Sequence, residues 1–426
     1  MPVNDAGQVA STLRSNDLNQ IPLRHLALYW LTSNPTRGHA MAMELNHYLE
    51  MMADRSASDL FLSPGAPPNI KIEGFTRHIG PKPLTTADVR QMAYSVMNDR
   101  QQAEFEDQWE MNLAFAMGEI GRFRINIYRQ RGDVTMAVRY VTNKIPSLEE
   151  LNLPPLLKEL IMLPRGLILF VGAAGSGKST TLASMIDYRN QNRTGHIYTV
   201  EDPIEYVHSH KQSVVDQREV GLDTRSYANA LRNAMRAAPE VIMIGEIRDR
   251  ETMQQAIAYA ETGHLCLSTL HANNANQTLD RIINFFPDSA RTQTLLDMSL
   301  NLKAVISQRL LKSVQPNVGR VPAVEILLAS SYVSDLILKG DISEIKEAMK
   351  HSTEVGMQTF DESLYRLYAA GQITYRDAID VADSRTDLAL RVRLQGPAPP
   401  VEEVVSEMGM EAEVAPDSSA RQGRVL

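Results

Sequence analysis

Cysteine is almost missing from the 426 residues, with Cys266 standing alone. One thiol permits no internal disulfide and no cysteine-built zinc cage, and it fits a reducing compartment. Long apolar runs are missing too. A membrane-crossing helix needs about 20 consecutive apolar residues, and the best stretch, Leu160–Gly172, is interrupted by Pro164 and Arg165. The chain does not open on the basic-then-apolar pattern of a secretory signal. Excess positive charge is absent as well. The formal net charge of −8 excludes a generally basic protein that coats nucleic acid, although a local basic strip can hide under that total. What is present is ordinary globular composition, 43% hydrophobic and 22% charged, which excludes collagen-like structure and wholesale disorder. The length accommodates two or three domains, each with its own core.

Residues 1–42 read as an extension, either disordered or upstream of the true start. The apolar cluster Leu26–Leu31 carries no sustained period, and patterned sequence begins only around Met41 and Met43. Residues 43–145 predict a small α+β domain. Leu45, Leu49 and Met52 have helical spacing, Asp59–Leu62 and Asn69–Gly74 read as strands, and one long helix is expected over Thr85–Glu106. Leu113–Met117, Arg122–Tyr128 and Val134–Val141 then make an antiparallel meander with glycine turns. A proline-punctuated linker over 146–155 leads into residues 156–396. There the apolar strands Gly166–Val171, His196–Glu201, Val241–Ile244 and His264–Leu270 alternate with helices over Lys178–Asn190, Tyr227–Ala237, Glu251–Glu261 and Gln277–Asn284. Such alternation argues for a buried parallel sheet covered on both faces, an α/β fold. A further helix is expected over Thr292–Leu311, and after Val321–Leu328 a mostly helical end. Residues 397–426 are rich in Pro, Glu and Ser, lack aromatics, and are expected to be disordered. Their acids, Glu402, Glu403, Glu407, Glu411, Glu413 and Asp417 against Arg421 and Arg424, hold half of the net −8.

The strongest chemical signal is Gly172-Ala173-Ala174-Gly175-Ser176-Gly177-Lys178-Ser179, followed by Thr180. It fits the phosphate-loop pattern G-x-x-x-x-G-K-[ST] completely, after a strand and before a helix. A glycine-rich turn accounts for the glycines but not for Lys-Ser at their end. In a phosphate loop, backbone N–H groups converge on phosphate oxygens at a helix N-terminus. Lys178 then reaches the β/γ-phosphates and Ser179 supplies an oxygen to Mg²⁺.

A second element, Val241-Ile242-Met243-Ile244-Gly245-Glu246, is an apolar strand ending in an acid. Placed after a phosphate loop, Glu246 reads as the carboxylate near Mg²⁺ or its water. In a third, Glu201, Asp202 and Glu205 crowd a strand's C-terminal end, where open α/β sheets bind ligands. Glu201 is a candidate general base there, and a solvated acidic turn is the alternative. Fourth, His264 and His271 flank the strand around Cys266, and His271 is the better placed to meet a γ-phosphate. Last comes an arginine set on the meander: Arg122, Arg124, Arg129, Arg131 and Arg139. Strand alternation puts Arg122 and Arg124 on one face. These arginines are either a solvated row or stabilisers of a transferring phosphoryl group in an adjacent site.

With these boxes in order, residues 43–390 resemble the type IV pilus retraction ATPases of the PilT/PilU family, nearer its PilU-like branch. Tyr198–Tyr206 matches that family's acidic box, Val241–Asp249 its Walker B segment and Thr262–His271 its histidine box. Met185–Asn190, Gln217–Gly221 and Asp280–Pro287 carry PilU-like wording.

The resemblance implies a RecA-like ATPase domain preceded by a PAS-like domain, assembled as a homohexamer with ATP and Mg²⁺ between domains. By position, Lys178 and Ser179 hold phosphate and metal, Glu246 is the Walker B acid and Glu201 the water activator. His264 and His271 form the histidine box, and Arg124 and Arg139 contact nucleotide. The implied partners are a PilT-like retraction ATPase and a PilC-like platform protein at the cytoplasmic face of the inner membrane. Nucleic acid is not an implied partner. Val333–Gly340 matches only loosely the AIRNLR-type retraction motif, which favours an accessory motor, and Glu240 stands where the family usually has Asp. Pilus-assembly and type II secretion ATPases carry a four-cysteine zinc element, which a single cysteine excludes.

Overall fold

The computed structural model describes residues 38–118, 120–316, 318–352 and 356–397. The expectations for residues 1–37 and for the acidic tail from 398 lie outside these. The chain divides into two compact units that meet at Lys144 and Ile145.

In the first unit, six antiparallel strands lie in the order β3-β2-β1-β6-β5-β4. They are β1 (Asp59–Leu62), β2 (Asn69–Ile72), β3 (Phe75–His78), β4 (Glu110–Met117), β5 (Gly121–Gln130) and β6 (Asp133–Val141). Strand β5 shows why one face is covered. Phe123, Ile125 and Ile127 point into the core, while Arg122, Arg124 and Asn126 alternate onto the other face. The helices Gly38–Asp54 and Thr86–Ser95 close that core with Leu45, Leu49 and Met52 from the first and Val89 and Met92 from the second.

The single helix expected over Thr85–Glu106 is two, Thr86–Ser95 and Asp99–Gln108. Asn98 breaks it, because its side chain accepts the Gln101 N–H at 3.0 Å while the Gln101 side chain accepts the Asn98 N–H at 3.0 Å. That reciprocal cap starts a new helix.

The second unit is built on a seven-stranded sheet in the order β13-β12-β7-β11-β10-β8-β9. Its strands are β7 (Gly166–Val171), β8 (Gly195–Glu201), β9 (Ser213–Glu219), β10 (Val241–Ile244), β11 (Leu265–Leu270), β12 (Leu302–Lys312) and β13 (Arg320–Leu328). All neighbours run parallel except β12 and β13. Every residue of β7, β10 and β11 is buried. Along β7, Leu167, Leu169 and Val171 enter one core and Ile168 and Phe170 the other, so both faces are covered as expected for a parallel sheet. A third cluster holds the C-terminal helices through Phe360, Leu364 and Tyr375 against Leu311 and Ala323. Among the described residues no helix is long and apolar enough to cross a membrane.

The helix expected over Thr292–Leu311 is corrected. It spans only Arg291–Asn301, and the chain then continues as β12. The apolar residues of that stretch suit either period. Pairing decides, with Ser307 opposite Val171 of β7 and Glu325 of β13. Strands β3 and β9, short or polar edges, carry no sequence signal that singles them out.

Candidate active site

Four of the parallel strands end on one edge of the sheet. The phosphate loop follows β7, Glu201 closes β8, Glu246 follows β10 and His271 follows β11. Open α/β sheets bind ligands at this edge.

Two of the loop's glycines leave no room for a side chain. A Cβ on Gly172 (φ 144°) would lie 2.5 Å from the Gln308 carbonyl oxygen, and one on Gly177 (φ 90°) would lie 2.7 Å from Gln308 Nε2. The Lys178 ammonium donates to the carbonyl oxygens of Gly172 and Ala173, at 2.8 and 2.9 Å. Burial lowers its pKa, while the charges of Glu246 and Glu205 pull the other way. A cationic donor bent over its own loop is where a phosphate oxygen would be received. Ser176 Oγ is buried without a hydrogen-bond partner. The Thr180 and Tyr206 hydroxyls lie 2.9 Å apart. Ala174, Gly175, Lys178 and Ser179 line a cleft of about 250 Å³. On its other side the loop, through Gly172 and Ala173, borders a second depression with Asn273, Gln277 and Arg281.

Glu201 is 7% exposed. Its Oε1 accepts from the Thr199 hydroxyl at 2.7 Å and from Gln217 Nε2 at 3.0 Å. Burial pushes its carboxyl up to about 7, against the lowering effect of those two donors. A carboxyl poised near neutrality is suited to taking and returning a proton. Glu246 holds a different network. Its Oε1 is 3.1 Å from His271 Nε2, and its Oε2 accepts from Arg248 Nε at 2.7 Å. Arg248 also lies 3.9 Å from Asp202.

The cleft thus brings together Ala174, Gly175, Lys178, Ser179, Glu201, Glu246 and His271. His264 is not brought there. It stands before the first residue of β11, with Nδ1 3.2 Å from both the Thr262 hydroxyl and the Tyr259 carbonyl. The strand between the two histidines is roughly 20 Å long.

Arg124 and Arg139 belong to the first unit, where they are directly opposed across β5 and β6. Arg139 Nε donates to Asp59 Oδ1 at 2.9 Å. Arg129 is drawn away from this set by its ion pair with Glu106 and the Phe105 ring, whose centroid lies 5.8 Å from the guanidinium.

Three residues of the site escaped sequence reasoning. Gln308 supports the phosphate loop from β12, the segment read as helix. Gln217 reaches Glu201 from β9, where only the wording around it stood out. His208, pushed down to about 4 by burial, lines the cleft, and its only signal is its place just past the acidic box.

A complete phosphate loop after a central parallel strand, with carboxylates closing or following two other strands of the sheet, defines a RecA-like P-loop nucleoside triphosphatase. The family described as Type II/IV secretion system protein matches residues 96–368. The type IV pilus ATPase PilU of Pseudomonas aeruginosa is 51% identical over 352 residues, 83% of this chain and 92% of PilU. The type IV pilus retraction ATPase PilT of the same organism is 39% identical over 340 residues, 80% of this chain and 98% of PilT. A crystal structure of the pilus retraction motor PilT with bound ADP has a TM-score of 0.74 at 41% identity, covering 80% of this chain and 98% of that one. The chain belongs to the type II/IV secretion system protein family, with the PilT and PilU ATPases among its relatives, and it is an ATPase.

Proposed function

We propose that this chain is an ATP-driven motor that powers or assists retraction of type IV pili, and with it twitching motility. One observation carries the reading: Lys178, Glu201, Glu246 and His271 share a single cleft in a chain that aligns with 92% of PilU. In this reading Lys178 and the loop amides, from Gly172 through Thr180, bind the triphosphate. Glu201 takes the proton of the attacking water, and His271 holds the Glu246 carboxylate in place. Ser179 and Glu246 offer the hard oxygen donors that Mg²⁺ selects, and the ion supplies charge neutralisation to the phosphates.

The unit is a homohexamer at the cytoplasmic face of the inner membrane. Residues 43–145 form a PAS-like domain that presents Arg124 and Arg139 to a neighbour's nucleotide, joined by a linker over 146–155 to the ATPase domain 156–396. The partners are a PilT-like ATPase and a PilC-like platform protein. An accessory role beside a PilT-like ring is the second reading. The loose match of Val333–Gly340 to the retraction motif favours it.

The test is pilus retraction and twitching in a strain whose sole copy carries Lys178→Ala, with ATP hydrolysis of the purified variant measured alongside. The motor reading expects hydrolysis to fall to background and motility to be lost. Unchanged hydrolysis would remove the phosphate-loop reading. Full motility without hydrolysis would establish the accessory role.

A further inference from the structure

We infer that Gln217 is a positioning residue for Glu201, the amide that aims the candidate general base at the water. The inference rests on the reading of Glu201 given above. Gln217 sits on β9, in parallel register with Thr199 on β8. That register sets the Thr199 hydroxyl and the Gln217 amide side by side, and both donate to the same carboxylate oxygen, Glu201 Oε1, at 2.7 and 3.0 Å. A carboxylate at a strand end is free to turn about its last torsion. Two donors on one oxygen fix its plane.

The amide does more than satisfy Glu201. Its nitrogen also donates to the Tyr206 carbonyl at 2.8 Å, and its oxygen accepts the His208 backbone N–H at 2.8 Å. Both ends of one side chain are therefore committed to the segment that follows Glu201. Asp202, Glu205, Tyr206 and His208 of that segment all line the cleft. Tyr206 reaches across to the Thr180 hydroxyl in the first turn of the phosphate-loop helix. Gln217 thus locks the base and the cleft wall in one arrangement. The amide cannot itself serve as the base, so its effect on the reaction passes through Glu201. Small misplacements of a reacting group cost on the order of 10²-fold in rate. Because Thr199 keeps one donor on the carboxylate, the loss here is expected at about tenfold to a hundredfold.

A double-mutant cycle on the purified full-length chain tests this, using steady-state phosphate release with Glu201→Gln, Gln217→Met and the pair. Met keeps the side-chain volume without the amide, and thermal unfolding of each variant is followed alongside. If Gln217→Met does not fold, Gln217→Glu replaces it in the same cycle, since it keeps the size and the acceptor but loses the donor.

The expected result has three parts. Gln217→Met lowers kcat about tenfold to a hundredfold with KM for ATP within about threefold. Glu201→Gln lowers kcat further. In the Glu201→Gln background the Gln217 change has no further effect, the non-additivity of residues that act as a unit. A normal kcat in Gln217→Met beside a slow Glu201→Gln overturns the role of Gln217 and leaves that of Glu201 standing. An equal loss in both backgrounds also overturns it, since Gln217 then acts on something other than Glu201. An unchanged kcat in Glu201→Gln removes the general-base reading, and the role of Gln217 falls with it.

Discussion

The Thr181 hydroxyl donates to the amide oxygen of Gln308 at 2.8 Å, a buried bond that ties the helix after the phosphate loop to β12. The backbone oxygen and amide nitrogen of the same glutamine stand against Gly172 and Gly177. Gln308, itself 4% exposed, therefore lies beneath the loop. Replacing the amide leaves the Thr181 hydroxyl buried without its acceptor, at a cost of about 1–3 kcal/mol. Gln308→Leu is expected to weaken ATP binding about tenfold or more, and Thr181→Val to do the same. The pair together should lose no more than the worse single change, because both remove one bond. Titration with a fluorescent ATP analogue measures this, and an affinity within twofold of wild type for Gln308→Leu would end the idea of support from beneath.

The phosphate loop is legible in the sequence because its chemistry is local. Glycines, lysine and serine act within eight consecutive residues, and the apolar run Gly166–Val171 before them, short and bounded by glycine, suits a buried strand. Glu246 is legible for the same reason, as an acid at the end of Val241–Ile244. Gln308 is not, since β12 is a strand only by virtue of its partners. Leu302, Val305 and Ile306 suit a helix equally well until β7 and β13 pair with them. Gln217 is hidden by β9, an edge strand whose burial pattern leaves Val214 and Asp216 exposed and carries no apolar run. The pairing of Thr199 with Gln217 exists only through register. The separate fates of His264 and His271 follow from strand direction: the two flank one strand, and only its C-terminal end meets the cleft.

Glu325 offers a stability test away from the cleft. It is 2% exposed, and its Oε1 accepts from the Ser307 hydroxyl and the Ala275 N–H, both at 2.8 Å. Burial pushes its carboxyl up to about 7 from an ordinary 4.5, against the effect of those donors. Between those two values the native state holds a proton that the unfolded chain has lost. The stabilisation is therefore fully present below about pH 4.5 and lost as pH rises through 7, a difference on the order of 3 kcal/mol. Glu325→Gln keeps an acceptor oxygen and never ionises. Its urea midpoint is expected to exceed that of wild type at pH 8, with the gap closing toward pH 4.5. A variant less stable than wild type at pH 8 would show that the charge is well accommodated.

Glu201, also pushed up to about 7, predicts the acid limb of the rate profile. The ionised form is the one that accepts a proton, so kcat is expected to fall about tenfold per pH unit below that value and to level off above it. In Glu201→Gln the rate should drop by roughly 10²–10⁴ and lose this limb. Phosphate release measured from pH 6 to 9 decides the matter. A limb that persists in the Gln variant would belong to another group, and His271 beside Glu246 would become the next to test.

Arg124 and Arg139 face one another across β5 and β6, an arrangement of like charges that normally costs a sheet stability. Asp59 offsets the charge on the Arg139 side. In the proposed role the two side chains serve a phosphoryl group in transfer, since planar guanidinium groups match its oxygens. In the proposed ring these arginines serve a neighbouring subunit's site. Arg124→Ala is then expected to depress ATP hydrolysis at least tenfold in the assembled ring and to leave the dissociated chain at its own slow rate. Hydrolysis measured across a dilution series, with sedimentation reporting assembly at each concentration, separates the two states. An equal fractional loss in ring and monomer would mean that Arg124 acts within its own chain, and no loss in the ring would remove it from the site.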